Sequence, residues 1–167
     1  FVREENITDQ AFWLLEEEET NYPDISEILE KGLQSPVAVV RAEVLNYMVS
    51  VLGINDENVE KALNMAKTEE DPYVLYKLTD VIENRMQNPQ VADFIFKMSH
   101  HENSVVRNEA AGAIASTWSK GVDGTVERII EMMEDENEDV RKTAYKNAGS
   151  LADERVIDPI AKALMDP

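Results

Sequence analysis

The sequence predicts an all-α chain, a right-handed α-solenoid of about four to five stacked helix pairs, and three observations carry the prediction. A seven-residue pattern recurs four times at intervals within the period range of helix-pair arrays. Each recurrence is followed by apolar residues on one helical face. No stretch alternates Val, Ile and Thr as strands do between hairpin turns, and most glycines punctuate helical segments.

The recurring segments are Ser35-Pro36-Val37-Ala38-Val39-Val40-Arg41, Asp71-Pro72-Tyr73-Val74-Leu75-Tyr76-Lys77, His101-Glu102-Asn103-Ser104-Val105-Val106-Arg107 and Asp135-Glu136-Asn137-Glu138-Asp139-Val140-Arg141. A turn-forming or acidic start leads, six residues on, to a long cation preceded by Val or, once, Tyr. The cations lie 36, 30 and 34 residues apart, room for two helices and two turns. Apolar positions follow mostly three, four and seven residues after each: Val44, Leu45 and Met48; Ala110, Ala111 and Ile114; Ala144, Tyr145 and Ala148. In the second unit Leu78, Val81 and Ile82 run about one residue out of phase.

The remaining elements follow from boundary signals. Residues 8–19 read as an N-terminal capping helix with Thr8 as N-cap. First helices of the pairs are expected at 24–33, ending at Gly32 and the Ser35-Pro36 turn, and at 56–67 after Gly53 and Asn55. Others are expected at 89–99, opened by Pro89 where a missing N–H costs nothing, at 122–134 after Gly121, and at 153–165 with Pro159 near its start. The cation-bearing segments are the second helices. The chain thus reads as one domain over 1–167, with a cap over 1–21 and tandem pairs over 22–167. Phe1 at the start and Met165-Asp166-Pro167 at the end read as parts of a longer chain.

Charge narrows the function. Lys and Arg number 16 against 34 Asp and Glu, a formal charge of −18, which disfavours a landing surface for nucleic acid or anionic lipid and favours a partner that is basic, or neutral where it touches. With no cysteine, disulfides, a thiolate nucleophile and Cys-based zinc sites are excluded. No apolar run approaches the roughly 20 residues of a membrane helix and no secretory signal is visible, so a cytoplasmic protein is expected.

The stretch 139–164 opens with Asp139-Val140-Arg141 and passes through Ala144, Ala148 and Gly149-Ser150-Leu151. It continues as Asp153-Glu154-Arg155-Val156-Ile157-Asp158-Pro159. It resembles the HEAT-like repeat of the phycobilisome-lyase type: Val-Arg, a run of Ala, a Leu-Gly or similar pair, then Asp, Arg, a small apolar pair and a Pro that opens the next helix. The likeness covers about four pairs from roughly residue 22 onward, strong in the last two, fair in the first and poor in the second. It implies a fold, while function stays open, because such arrays serve as scaffolds, inhibitors, chaperone-like lyases and a few enzymes.

Arg41, Lys77, Arg107 and Arg141 are expected in the first turn of a helix, where the macrodipole disfavours a cation. Carboxylates must compensate them, with Asp71, Glu102, Glu136 and Asp139 as candidates for a structural ladder. Among HEAT-like enzymes, the deoxyhypusine hydroxylases hold iron with His-Glu pairs just after this slot. Here the slot carries Ala42-Glu43, Leu78-Thr79, Asn108-Glu109 and Lys142-Thr143. His100 and His101 read as a solvated turn, and residues 131–139 lack the Gly and the oxygen spacing of a calcium loop. The HEAT-like DNA glycosylases need a basic groove, and a bilin lyase needs a pigment pocket that no residue signals. No catalytic triad or phosphate loop is present, and no cofactor or metal is expected.

The expected work is therefore non-catalytic: an interaction scaffold or adaptor that binds a protein or peptide on a concave face. The alternatives are an acidic inhibitor or immunity-type protein against a basic enzyme, and an accessory subunit of a lyase-type enzyme. Counting two, six and nine residues beyond each cation places Glu43, Tyr47 and Ser50; Thr79, Glu83 and Met86; Glu109, Ala113 and Ser116; and Thr143, Asn147 and Ser150 on that face. The acidic run Glu16-Glu17-Glu18-Glu19 beside Phe12, Trp13, Leu14 and Leu15 reads as the wet side of the cap. Trp118 is expected to pack in the core.

Overall fold

A computed structural model of the chain describes residues 25–165; the predicted cap over 8–19 lies outside them. Among the described residues the structure is helical, with nine α-helices and no strand. They are α1 (Ile25–Leu33), α2 (Ala38–Leu52), α3 (Asp56–Ala66), α4 (Pro72–Ile82), α5 (Pro89–Met98), α6 (Ser104–Ile114), α7 (Thr125–Met132), α8 (Glu138–Asn147) and α9 (Ile157–Met165). Three-residue or four-residue 3-10 turns follow α4 (Glu83–Arg85) and α8 (Ala148–Leu151), lie just beyond α6 (Thr117–Ser119), and precede α9 (Glu154–Val156). No helix among the described residues is long and apolar enough to cross a membrane.

Short polar side chains start most of these helices by accepting the backbone N–H groups that a first turn leaves unpaired. Asn55 accepts from Asn58 at the start of α3, Asn88 from Gln90 at α5, and Asn103 from Val105 at α6. Asn137 accepts from both Asp139 and Val140 at α8. Asp71 plays the same part for α4, accepting from the N–H groups of Tyr73 and Val74. Pro89 occupies the first turn of α5 as expected.

The chain divides into two compact units, Phe1–Val81 and Ile82–Pro167. In the first, α1 lies on α2, and Leu29, Val44 and Tyr47 form a buried cluster with Leu33 and Val40 packed against it. Gly32 makes the approach possible: a Cβ there would stand 2.5 Å from Val44 Cγ2. Gly53, at φ 80°, turns the chain out of α2, and its carbonyl accepts a 2.7 Å hydrogen bond from the buried Asn58 side chain of α3.

In the second unit α6 packs against α5, α7 and α8, so consecutive helix pairs share one core. Ile82, Met86, Ile95, Ile114, Ile129, Met132 and Met133 are among its largest fully buried residues. Small Ala110, Ala111 and Ala144, all at 0% exposure, let α6 and α8 come close. The apolar positions counted from the cations are buried throughout, except for the half-buried Tyr145.

Boundaries shift for local reasons. The helix expected from residue 122 begins only at Thr125, because Gly121 and Gly124 hold φ of 81° and 85°, outside helical geometry. The helix expected from 153 opens as a 3-10 turn and becomes α-helical at Ile157. Gly32 lies inside the last turn of α1 instead of ending it.

Candidate interaction surface

The cation slots come first, since they fix the register of the rest. Arg41, Arg107 and Arg141 each stand three residues into their helix, whereas α4 begins at Pro72, five residues before Lys77. Lys77 therefore leaves the first turn; it faces Asp80 at 3.8 Å and lies 5.5 Å over the Tyr76 ring. This displacement is the physical content of the phase slip seen in the second repeat.

Two of the arginines share one geometry. Arg41 Nη1 donates to the Ser35 carbonyl six residues back, and its Nε and Nη2 grip both oxygens of Glu69, 28 residues ahead, at 2.7 and 2.8 Å. Arg107 Nη1 donates to the His101 carbonyl, again six back, and its Nε and Nη2 grip both oxygens of Asp135, 28 ahead, at 2.8 and 2.9 Å. Each carboxylate also organises its own turn: Glu69 accepts from the N–H groups of Glu70 and Asp71, and Asp135 from that of Asn137. The pair thus ties one inter-helix turn to the next.

The expected partners need correction accordingly. Asp71 caps α4 and does not hold a ladder cation, Glu102 contributes its backbone carbonyl, and Asp139 forms no ion pair within contact distance of Arg141. Glu136 does join, at 3.2 Å from Arg107 Nη2. Sequence counting missed Glu69 and Asp135, the two central acids.

Electrostatics follow the geometry. Burial pushes the Glu69 and Asp135 carboxyls up, but the guanidiniums of Arg41 and Arg107, with the backbone N–H donors, outweigh it and hold both below the usual carboxylate range. The same hydrogen bonds raise both arginines. On the surface of the second unit, Arg155 forks onto Asp153 and reaches Glu127; its hydrogen bonds, with the backbone N–H of Arg155, bring Asp153 down to about 2.

The face expected to meet a partner is only partly exposed. Tyr47, Thr79, Met86 and Ala113 are buried, so they are core and not contact residues. The reason is angular: at about 100° per residue, the sixth position rotates further toward the core than the second and ninth. The two-residue displacement of Lys77 turns Thr79 and Met86 inward as well. Glu43, Glu83, Glu109, Ser116, Thr143 and Asn147 are half-buried, and Ser50 and Ser150 are exposed. Glu43 accepts a 3.1 Å bond from the Tyr73 hydroxyl.

What the second unit does bring together is the row of ends. The 3-10 turns Glu83–Arg85, Thr117–Ser119 and Ala148–Leu151 lie side by side, placing Glu83 and Ser150 with the middle turn, which Ser116 enters. Trp118, at the centre, is 53% exposed, contrary to its expected core position. A 3-10 turn directs its side chain outward, and the turn is strapped from two sides. Gln87 Nε2 donates to the Trp118 and Lys120 carbonyls at 3.0 and 3.2 Å, and buried Ser119 donates to the carbonyls of Ser116 and Ile114. Because the row lies at the carbonyl ends of α4, α6 and α8, their dipoles make it electronegative. Lys120 and Arg85 are cations of the same row.

Elsewhere the chemistry is already engaged. A cleft of about 500 Å³ in the first unit is lined by Arg41, Lys61 and Met65 among others, but Arg41 is held by Glu69 and Lys61 by Glu57 at 2.9 Å. His101 Nδ1 accepts the Asn103 N–H within its turn, and the described residues contain no group of three or more potential metal ligands. The described residues form an all-α protein whose inter-helix turns are cross-linked by part-buried ion pairs. In comparisons with known proteins, no family model and no curated protein matches the chain.

Proposed function

We propose that this chain is a non-catalytic interaction scaffold: a right-handed, HEAT-like α-solenoid whose second-helix ends dock a protein or peptide partner in the cytoplasm. The stacking is supported by the repeated Arg-to-carboxylate reach of 28 residues, the same in each unit. The single observation that carries the binding role is Trp118, a large aromatic held out to solvent on a turn whose backbone is fixed. Preorganised aromatic anchors lose little entropy on docking and dominate interface energies.

The partner's matching feature is a basic or neutral segment that lays an apolar or cationic side chain on the indole, favoured by the helix carbonyl ends and by the charge of −18. Affinity capture with the native protein and with Trp118→Ala, each at low and physiological salt, tests this. A partner retained by the native chain and lost with Trp118→Ala supports the reading. Equal capture by both, or substrate turnover by the purified chain alone, overturns it. An association that collapses between the two salt concentrations points instead to the acidic-inhibitor alternative.

A further inference from the structure

α6 buries Val106, Arg107, Ala110, Ala111, Ala113 and Ile114. At about 100° per residue, Gly112 falls diametrically opposite that buried side, with Asn108 four residues before it and Ser116 four after, on one ridge. A glycine inside a helix is less favourable than alanine. Yet a Cβ on Gly112 would meet nothing within 4 Å, and its backbone is not among the left-handed glycines. Neither packing nor backbone conformation within the chain calls for a glycine at this place.

The residues on either side of it carry an independent signal. Asn108 Oδ1 and Ser116 Oγ are buried atoms with no hydrogen-bond partner, and so is Asn84 Oδ1 in the Glu83–Arg85 turn, which lies beside the Thr117–Ser119 turn. Among the described residues these are the buried side-chain polar atoms left unpaired, and all three belong to the second unit. Native proteins seldom leave such atoms unmet, because burial removes water without supplying a replacement. Turning Asn108 or Ser116 outward breaks no hydrogen bond at these oxygens.

Each unmet atom is an acceptor. Half-buried Glu83 and Glu109 add carboxylates beside them, against Arg85 as the one cation of the neighbouring turn. With a charge of −18 on the chain, the complementary occupant is cationic and rich in donors. Asn108 and Ser116 stand about 12 Å apart along the helix axis. An extended chain covers that span in about four residues and turns alternate side chains to the same side.

We propose that this face of α6 seats an extended, arginine-bearing peptide segment of the partner. Its backbone crosses Gly112, where a side chain would hold it off, and its N–H and guanidinium groups donate to Asn108 and Ser116. The inference rests on the scaffold reading above and names the occupant of that surface.

The probe is a capped peptide of alternating arginine and alanine with three arginines, titrated into the whole protein labelled with 15N-glycine. The Gly112 amide resonance, assigned by its loss in Gly112→Ala, should shift, while that of Gly53 in the first unit should not. Gly112→Ala should weaken binding at least fivefold and raise the melting temperature, a split that a structural role for the glycine would not give. Asn108→Asp should tighten binding, and citrulline in place of arginine should weaken it at least tenfold. Equal affinity for native protein and Gly112→Ala means diffuse attraction to an acidic chain and overturns the proposal. So does weaker binding by Asn108→Asp, a lowered melting temperature of Gly112→Ala, or no binding at millimolar peptide. Trp118→Ala is titrated in parallel. Loss there with Gly112→Ala unaffected leaves the indole anchor standing and removes this seat, whereas the reverse pattern supports the seat and removes the anchor.

Discussion

Removing the Asp135 carboxylate strips the Arg107 guanidinium of its two best acceptors while the side chain stays 9% exposed. What remains is Nη1 on the His101 and Glu102 carbonyls and a 3.2 Å contact from Nη2 to Glu136, itself 85% exposed. The Asn137 N–H also loses its acceptor. Breaking a fully buried pair from one side costs about 3–5 kcal/mol; this pair is part-buried and keeps surviving contacts, which places Asp135→Ala at about 2–3 kcal/mol. The pair itself is separable by a double-mutant cycle. Arg107→Ala, Asp135→Ala and the double variant, unfolded in urea and followed by circular dichroism, should give a coupling energy of about 2 kcal/mol. The exposed Lys142–Glu138 pair, treated identically, should show little cost. A coupling at Arg107–Asp135 no larger than that of the surface pair would refute the claim that the ladder holds successive turns together.

Three further outcomes are expected. Because the folded Asp135 carboxyl is held below its usual range, its contribution is fully present above the ordinary carboxylate pKa, about 4, and fades as pH falls through the depressed value. The stability difference between native protein and Asp135→Asn should thus be flat from pH 8 to about 5 and shrink below about 4; a difference that widens on acidification contradicts the assignment. Gly32→Ala places a methyl 2.5 Å from Val44 Cγ2 and should destabilise by about 1–2 kcal/mol despite alanine's better helix propensity, and the cost should disappear in a Val44→Ala background. With a formal charge of −18, the protein should melt at higher temperature as sodium chloride rises from low to moderate, and a falling melting temperature would disprove dominant self-repulsion.

The legible part of this molecule is what local sequence fixes. Helical periodicity identified Leu45, Met48, Ala111, Ile114 and Ala144 as core, and they are buried, because an apolar stripe on a short helix has one place to go. Arg41 and Arg107 stood out because a cation in a first helical turn demands compensation. Their partners were not legible. Glu69 and Asp135 lie 28 residues away, across an intervening helix, and only the packing of neighbouring turns selects them over Asp71, Glu102 and Asp139. In a chain with 34 acids, composition offers no means of choosing among them.

The surface was harder still, and the errors share a cause. Counting positions from a cation assumes a helix that starts at a fixed offset and continues unbroken. α4 starts two residues early relative to Lys77, and a slip of two is about 200° of rotation, enough to exchange wet and dry faces, as Thr79 shows. Beyond the last α-helical turn the rule fails altogether: α6 ends at Ile114, and the 3-10 turn that follows swings Trp118 outward where helical phase would have buried it. The straps that fix that turn, from Gln87 and Ser119, come from the connection that precedes α5 and from within the turn itself. The orientation of Trp118, on which the proposed docking role rests, is therefore set by how α6 ends. Substitutions at Gln87 and Ser119 that leave the indole present should weaken docking by loosening the turn beneath it, the mark of a surface that works through preorganisation.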